Sequence, residues 1–229
     1  VANSDLTYSY DEDWSHPGIC DGTACDSALF GFDWFYASFD AYQRNNDNTS
    51  VDLRYVSEGD RLAWVAGVYH RDQSIELTRD YTYNDDLFTS QFDTQNSAIY
   101  GQLNYALTDR WAVIGGLRSE YRDVDYADSD LAQASLSEDL WGGRLALEYH
   151  TDNGAFVYGL ISRGFKPGGF NLDQELDADK REYDTETMLN YELGFKQYFD
   201  ALNLQVQAAV FYQDRDAIQT KQSVVRSIA

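Results

Sequence analysis

Two basic side chains in the stretch SRGFKPGGFN are the first candidates for binding chemistry. Arg163 and Lys166 follow a run of apolar residues and stand beside Pro167, in a chain that is otherwise strongly acidic. Proline cannot donate to a β-ladder and glycine permits sharp turns, so strand pairing is expected to end between Gly164 and Gly169. Two cations at a strand end suit an anionic ligand, but they equally suit nearby carboxylates or lipid phosphates. We expect internal pairing with carboxylates and keep the ligand role as the alternative.

Cys20 and Cys25 form a second pair with chemical potential, in the stretch GICDGTACDS. The chain has no further cysteine and no suitably placed histidine to complete a zinc site. A disulfide formed in an oxidising compartment is therefore predicted, with Gly22 easing the turn of the small ring. Two free thiols on a loop are the alternative.

No residue pattern indicates catalysis or a bound metal. His16, His70 and His150 are far apart in sequence and fit no zinc-protease or zinc-finger spacing. No nucleophile-elbow pattern surrounds any serine. The acidic stretch DVDYADSD, residues 123–130, lacks the glycine and the closing glutamate of a helix–loop–helix calcium loop, so it is interpreted as a solvated loop. The sequence predicts no enzyme and no cofactor.

Composition narrows the class of protein further. The 229 residues carry 17 Lys and Arg against 39 Asp and Glu, a formal net charge of −22 that would repel a nucleic acid backbone. Aromatic residues make up 15% and hydrophobic residues 43%, which argues for a folded chain rich in β-structure. No apolar run reaches the length of a transmembrane helix, whereas a transmembrane β-strand needs only about 9–11 alternating residues.

Apolar and polar residues alternate with a period of two through most of the chain, which is the pattern of extended strands. In LWGGRLALEYH, for example, Leu145 and Leu147 oppose Arg144 and Glu148. The pattern predicts nine strands, at about 5–13, 48–57, 61–79, 94–107, 110–125, 138–150, 154–165, 184–199 and 202–217.

The connections between these strands alternate strictly in length. Short turns are predicted at 57–60, 108–110, 151–154 and 199–201, and long polar links near 14–47, 80–93, 126–137 and 166–183. Short turns at one end and long loops at the other are the layout of an outer-membrane β-barrel. A soluble sandwich fits the alternation but not the strand lengths, and a propeller blade would need four short strands in each repeat of about 45 residues.

A barrel in a membrane assigns the two sets of side chains to different surroundings. The apolar set is predicted to face lipid and the polar set to face the lumen. The lipid-facing set is Leu145, Leu147, Leu193, Val206 and Val210, and the lumen-facing set is Arg144, Glu148, Glu192 and Gln207.

The segments SRGFKPGGFN, YDTETMLNYELGFKQYF and LNLQVQAAVFYQD, in this order, are similar to the barrel of TonB-dependent outer-membrane receptors. The match runs through Ser162–Asn171, Glu186, Tyr191–Lys196 and Ala208–Tyr212, and the strand–turn–strand pattern at 49–72 resembles the same family. The resemblance implies an all-β fold, a transmembrane antiparallel barrel of 22 strands around an N-terminal plug domain. Nothing here resembles the plug, so residues 1–229 are expected to be an internal piece of such a barrel.

The resemblance also implies function, location and partners. The expected activity is energy-coupled uptake of a scarce large solute across the bacterial outer membrane, with a ferric siderophore as the leading candidate. The alternatives are cobalamin, haem or an oligosaccharide carried by the same machinery, and, from another class, a passive pore or a barrel enzyme. The expected partners are TonB, reached through the missing plug region, and outer-membrane lipid or lipopolysaccharide; nucleic acid is not one of them.

Overall fold

The computed structural model describes residues 2–12, 38–81, 86–171 and 180–221, and these residues are almost entirely β-strands. No helix in these ranges is long and apolar enough to cross a membrane. Cys20 and Cys25 lie outside the described residues, so their disulfide stays a prediction. In chain order the elements are β1 (Ala2–Glu12), β2 (Ser38–Ser57), β3 (Leu62–Tyr81), β4 (Phe88–Ala106), β5 (Trp111–Asp128), β6 (Gln133–His150), β7 (Phe156–Lys166), β8 (Gly169–Phe170), β9 (Glu182–Tyr183), β10 (Glu186–Phe199), a 3-10 turn (Asp200–Leu202) and β11 (Leu204–Asp216).

Nine of the strands form one antiparallel sheet in the order β1-β2-β3-β4-β5-β6-β7-β10-β11. Each of these nine strands therefore pairs with the next of the nine along the chain, which is the connectivity that short turns and hairpin links produce. The two remaining strands, β8 and β9, form a separate ribbon inside the link between β7 and β10, with Gly169 paired to Tyr183. The prediction of a nine-stranded antiparallel sheet is confirmed.

The predicted strand bounds are accurate at the short turns and wrong at the long links. β2 begins at Ser38 rather than at residue 48, β4 at Phe88 rather than 94, and β6 at Gln133 rather than 138. These added residues are mostly polar, as in Arg44–Asp47 and Thr89–Gln91, and their few apolar side chains, such as Phe88 and Phe92, make only a weak alternation for a sequence pattern to detect. Backbone pairing nevertheless continues, since β1 and β2 are in register from Glu12 opposite Ser38 to Ala2 opposite Asn48.

Contacts divide the chain into two compact units. The link-end unit contains residues 1–49, 72–94 and 124–135, and the turn-end unit contains residues 50–71, 95–123 and 136–229. The link-end unit thus holds the strand ends that lead into three of the long links. The turn-end unit holds the short turns together with all of β7, β10 and β11.

Burial in the turn-end unit is the reverse of burial in a soluble domain. Its fully buried apolar residues are few and mostly small, such as Ala98, Ala146 and Ala155. Large apolar side chains are exposed instead, with Leu145 at 57% and Val210 at 67% of their full accessibility. Soluble monomers rarely expose contiguous apolar surface on this scale, so one side of these strands is built to meet an apolar surrounding.

Candidate functional site: the two faces of the turn-end strands

Strand register defines an apolar face on β6, β7, β10 and β11. Residues directly opposite one another in an antiparallel pair point to the same side of the sheet. Leu145 is opposite Ile161, and Leu193 is opposite both Gly159 and Val210. The apolar face includes Leu145, Leu147, Gly159, Ile161, Tyr191, Leu193, Val206, Val210 and Tyr212, and Arg163, Leu189 and Asp214 lie on the same side.

The opposite side of the same strands is the polar face. Arg144 is opposite Ser162, which is opposite Asn190. The polar side chains of this face are Arg144, Glu148, Tyr158, Ser162, Asn190, Glu192, Lys196, Gln207 and Gln213, and Leu160 and Phe211 lie on the same side, both opposite Glu192. The two sets predicted from alternation therefore lie on opposite faces without exception, and that prediction is confirmed.

A recess of about 710 Å³ lies in the turn-end unit. The Tyr100 hydroxyl donates to Asp52 Oδ1 at 2.7 Å, and Arg144 Nη2 donates to Gln102 Oε1 at 2.9 Å. These hydrogen bonds fix the polar side chains that line the recess. Its polar lining residues are Asp52, Tyr69, Tyr100, Gln102, Arg118, Arg144, Ser162 and Arg163.

Arg118 is the most strongly oriented cation of this recess. Its guanidinium lies 5.2 Å from the centre of the Tyr69 ring, a cation–π geometry. Its Nε donates to Glu120 Oε2 at 2.8 Å, and Asn96 Nδ2 donates to the other oxygen of Glu120 at 2.7 Å. Fixed guanidinium, phenol and amide groups on one wall can bind polar or anionic groups through hydrogen bonds. Within the described ranges no group of three or more His, Cys, Asp or Glu residues is arranged to bind a metal ion.

Tyrosine rings lie over glycines at two places in the turn-end unit. A Cβ atom at Gly194 would collide with the Tyr158 ring, and one at Gly67 would collide with the Tyr100 ring. The hydroxyl of each ring donates a hydrogen bond to a carboxylate: that of Tyr100 to Asp52, and that of Tyr158 to Glu192 Oε1 at 2.5 Å. The glycines therefore make room for large amphipathic side chains that cover the backbone.

Glu138 on β6 fixes the start of the link that follows β7. It accepts a hydrogen bond from Arg122 Nη1 at 3.0 Å and from the backbone N–H of Gly168 at 2.9 Å, and it also accepts one from the Thr185 hydroxyl. Arg122 additionally donates to the carbonyl of Gly168 at 3.2 Å. The ion pair is well shielded, with side-chain exposures of 15% for Arg122 and 12% for Glu138. A shielded ion pair that also binds backbone groups determines the position of that backbone.

Glu186 and Gln219 fix the other end of the same link. Glu186 is 4% exposed, forms an ion pair with Arg215, and accepts from the backbone N–H of Gln219 at 2.9 Å. The backbone N–H of Gln219 and the guanidinium of Arg215 each bind a different oxygen of the Glu186 carboxylate, so both oxygens of this shielded group have a partner. The Gln219 side-chain amide donates to the carbonyls of Pro167 at 2.8 Å and Asp184 at 3.1 Å. Residues before and after the link are thus tied to the chain that follows β11.

The structure separates the two basic residues of SRGFKPGGFN. Arg163 is opposite Leu189 and so lies on the apolar face, where its guanidinium stacks 4.1 Å from the centre of the Trp141 ring and donates to the Trp141 carbonyl. Lys166 is opposite Glu186 on the other side of the sheet. The two side chains do not converge, and in the described part of the chain no carboxylate forms an ion pair with Arg163. The strand continues to Lys166, so the exit from the ladder lies at Pro167 and Gly168.

Sequence reasoning did not single out the residues that hold this link. Arg122, Glu138, Arg215 and Gln219 come from three separate parts of the sequence and meet only through the sheet register. A partial signal exists on β5, where Arg118, Glu120 and Arg122 alternate as charged residues on one side of the strand.

The link-end unit contains its own charged cluster, on the hairpin of β2 and β3. Arg79 donates two hydrogen bonds of 2.8 Å to the Asp40 carboxylate, and the Tyr42 hydroxyl donates to the same carboxylate at 2.9 Å. The Arg79 guanidinium also lies 5.2 Å from the centre of the Tyr42 ring. The hydrogen bonds from Arg79 hold the pKa of Asp40 below its usual range despite its partial burial.

Comparison with known proteins assigns the chain to a family. The family model described as TonB dependent receptor-like, beta-barrel matches residues 1–228. A pesticin receptor of Yersinia pestis is 27% identical over 196 residues, which cover 80% of this chain and 29% of the relative, and that of Yersinia enterocolitica is 28% identical over 182 residues. The crystal structure of the ferric yersiniabactin uptake receptor of Yersinia pestis superposes with a TM-score of 0.63 at 24% identity, over 80% of this chain and 30% of that one. The chain therefore spans less than a third of the length of the relatives that it matches.

Proposed function

Because the chain belongs to the TonB-dependent receptor β-barrel family, we propose that it forms part of a receptor that takes up a ferric siderophore by an energy-coupled mechanism. Barrels of this family lie in the bacterial outer membrane, and the family comprises receptors and transporters rather than enzymes. The family match over residues 1–228 is the observation that carries the proposal. The similarity to a ferric yersiniabactin uptake receptor supports iron as the cargo.

The polar face and the apolar face are suited to contact different partners within this receptor. We propose that the polar face contacts a plug domain encoded outside residues 1–229, and that TonB acts through that domain. Arg118 and Arg144 line one wall and are held by side-chain hydrogen bonds, so they can contact a polar partner without first becoming ordered. The apolar face contacts the hydrocarbon of the outer membrane, and the residues at its rim contact lipopolysaccharide.

The experiment uses the full-length protein that contains this chain. A strain lacking the gene is grown under iron restriction with one ferric siderophore at a time, and the full-length gene is then restored. The proposal predicts growth only with the gene present, only with a subset of siderophores, and only in a strain with functional TonB. Growth that is independent of TonB would contradict energy coupling and favour a passive pore.

The same strain set separates the proposed cargo from the other solutes that the family can carry. Supplying cobalamin, haem or an oligosaccharide as the limiting nutrient tests each alternative in turn. Restored growth on one of these, with no effect of any ferric siderophore, would retain the transporter class and change the cargo.

A further inference from the structure

Arg163 is a cation on a face that is mainly apolar. Its neighbours across the strands are Gly143 on β6 and Leu189 on β10, and two residues earlier on its own strand lies the exposed Ile161. A charged side chain in the hydrocarbon of a membrane is costly, so an arginine on this face needs a polar group within reach of its guanidinium. The described residues accept hydrogen bonds from only part of the donors of this guanidinium.

The partner that the protein provides is Trp141. The Arg163 guanidinium stacks on the indole ring at 4.1 Å and donates one hydrogen bond to the Trp141 carbonyl. A guanidinium has five N–H donors in a planar fork. In the described part of the chain no carboxylate forms an ion pair with it. The side chain is therefore held in place by Trp141 while most of its donors and its full charge remain available.

The position of Arg163 along the membrane strands matches the headgroup level. Its row across the sheet continues through Leu189 to Asp214 on β11, so the row holds a charged residue at two positions. The rows nearer the short turns are apolar on this face, as with Leu145, Ile161, Tyr191 and Tyr212. Tryptophan and tyrosine concentrate where hydrocarbon meets headgroups. Arg163 and Trp141 thus lie at the end of the apolar face that is farther from the short turns.

We propose that Arg163, held by Trp141, is a binding site for the phosphate group of an outer-leaflet membrane lipid. A planar guanidinium binds two phosphate oxygens at once, and phosphate is the anion that a bilayer presents at this level. The site also explains why a chain with a net charge of −22 keeps an arginine on its membrane-facing side. The inference rests on the outer-membrane location and is independent of which solute the receptor carries.

The test measures lipid preference with the full-length receptor in phosphatidylcholine vesicles. A minor fraction of the lipid is replaced by phosphatidic acid with brominated chains, which quench nearby tryptophan, and brominated phosphatidylcholine serves as the comparison. The signal of Trp141 is the difference between the receptor and its Trp141→Phe variant. We expect stronger quenching by brominated phosphatidic acid than by brominated phosphatidylcholine, and a decrease of this preference with salt.

Arg163→Gln should reduce the preference for phosphatidic acid about fivefold, the contribution of one cation near a charged bilayer surface. The matched control is Arg144→Gln, which removes the same charge from the adjacent strand on the polar face and should leave the preference unchanged. Arg163→Lys keeps the charge but loses the planar fork, so it should retain only part of the preference, and this partial loss is the deciding result if the glutamine variant fails to insert. Equal preference in the native protein and Arg163→Gln, or equal losses in the Arg163 and Arg144 variants, would overturn the proposal, and neither result depends on uptake.

Discussion

At the scale of single residues, the sharpest constraint is the space around Gly168. A Cβ atom there would lie 2.6 Å from the Tyr183 carbonyl oxygen and 2.7 Å from Glu138 Oε1, and neither atom is free to move. Gly168→Ala should therefore destabilise the full-length barrel by about 1–3 kcal/mol, as overpacking usually does. The measurement is the urea midpoint of unfolding in lipid vesicles.

Gly164→Ala is the matched control for this substitution. Gly164 lies four residues earlier on the same stretch, and a Cβ atom added there meets nothing within 4 Å. Its unfolding midpoint should stay close to that of the native protein. Equal destabilisation by the two alanines would show that the close contacts of Gly168 with Tyr183 and Glu138 do not constrain the link.

The shielded pair of Arg122 and Glu138 yields a second prediction at this scale. Removing one partner of a buried ion pair leaves the other charge uncompensated, so Glu138→Ala should cost about 3–5 kcal/mol. Arg122→Met alone should also destabilise, because Glu138 then loses its cation. Combining both substitutions should cost clearly less than the sum of the single effects, and strict additivity in this double-mutant cycle would contradict a coupled pair.

At the scale of elements, β2 and β3 each contain more residues than a membrane crossing requires. Both strands have 20 residues, about twice the 9–11 needed to span a bilayer. The residues around Asp40 and Arg79 lie at the end of this hairpin that leads away from the short turn, so water and pairwise side-chain contacts determine their stability. An ion pair there should respond to pH in a predictable direction.

The pKa of Asp40 is lower in the folded hairpin than in an unfolded chain, whose aspartate has a pKa of about 3.8. The stabilisation from Arg79 is therefore complete above that value and is lost as pH falls through the lower, folded pKa. Amide hydrogen exchange of the link-end part of β2 and β3, corrected for its intrinsic pH dependence, should lose protection below about pH 4. Asp40→Asn should lower protection at neutral pH and remove this pH dependence, and an unchanged pH profile in that variant would exclude Asp40 as its cause.

The two faces of the turn-end strands give a further prediction about elements. Leu147→Arg places a charge on the apolar face, which costs about 2–4 kcal/mol near the bilayer midplane. Gln207→Arg places the same charge on the polar face and should be tolerated. The measurement is the amount of folded receptor in outer-membrane fractions, and equal tolerance of the two variants would contradict the assignment of the faces.

Alternation of side chains was sufficient to predict the sheet, its antiparallel neighbours and the faces of Leu145 and Arg144, because lipid on one side enforces a strict period of two. It was insufficient at Ser38 and Phe88, where strands continue through segments that are mostly polar and hold only a few apolar side chains. It also could not predict the contacts of Glu138 and Gln219 with the two ends of the link after β7, since these contacts join residues that are far apart in sequence. The positive charges of SRGFKPGGFN were correctly located at a strand end, but their opposite orientations follow from the continuation of β7 to Lys166.

At the scale of the whole molecule, nine of the described strands pair in one antiparallel order, and the strands β6, β7, β10 and β11 expose a mainly apolar face on one side and a mainly polar face on the other. A sheet of this kind is not expected to be stable alone in water, because lipid must cover one face and further strands must cover its edges. The family supplies that context, since its barrels close around a lumen in the outer membrane. The contacts of Glu138 and Gln219 then matter for the whole receptor, because they fix the link after β7 to the neighbouring strand and to the chain that follows β11.

Energy-coupled uptake is the central claim, and transport of radiolabelled iron by cells that express the full-length receptor tests it most directly. We predict that cells accumulate iron supplied as one ferric siderophore, that accumulation saturates with concentration, and that it stops when TonB is deleted or the proton gradient is collapsed, while surface binding of the complex persists. Accumulation that rises linearly with concentration and continues without TonB would contradict the account.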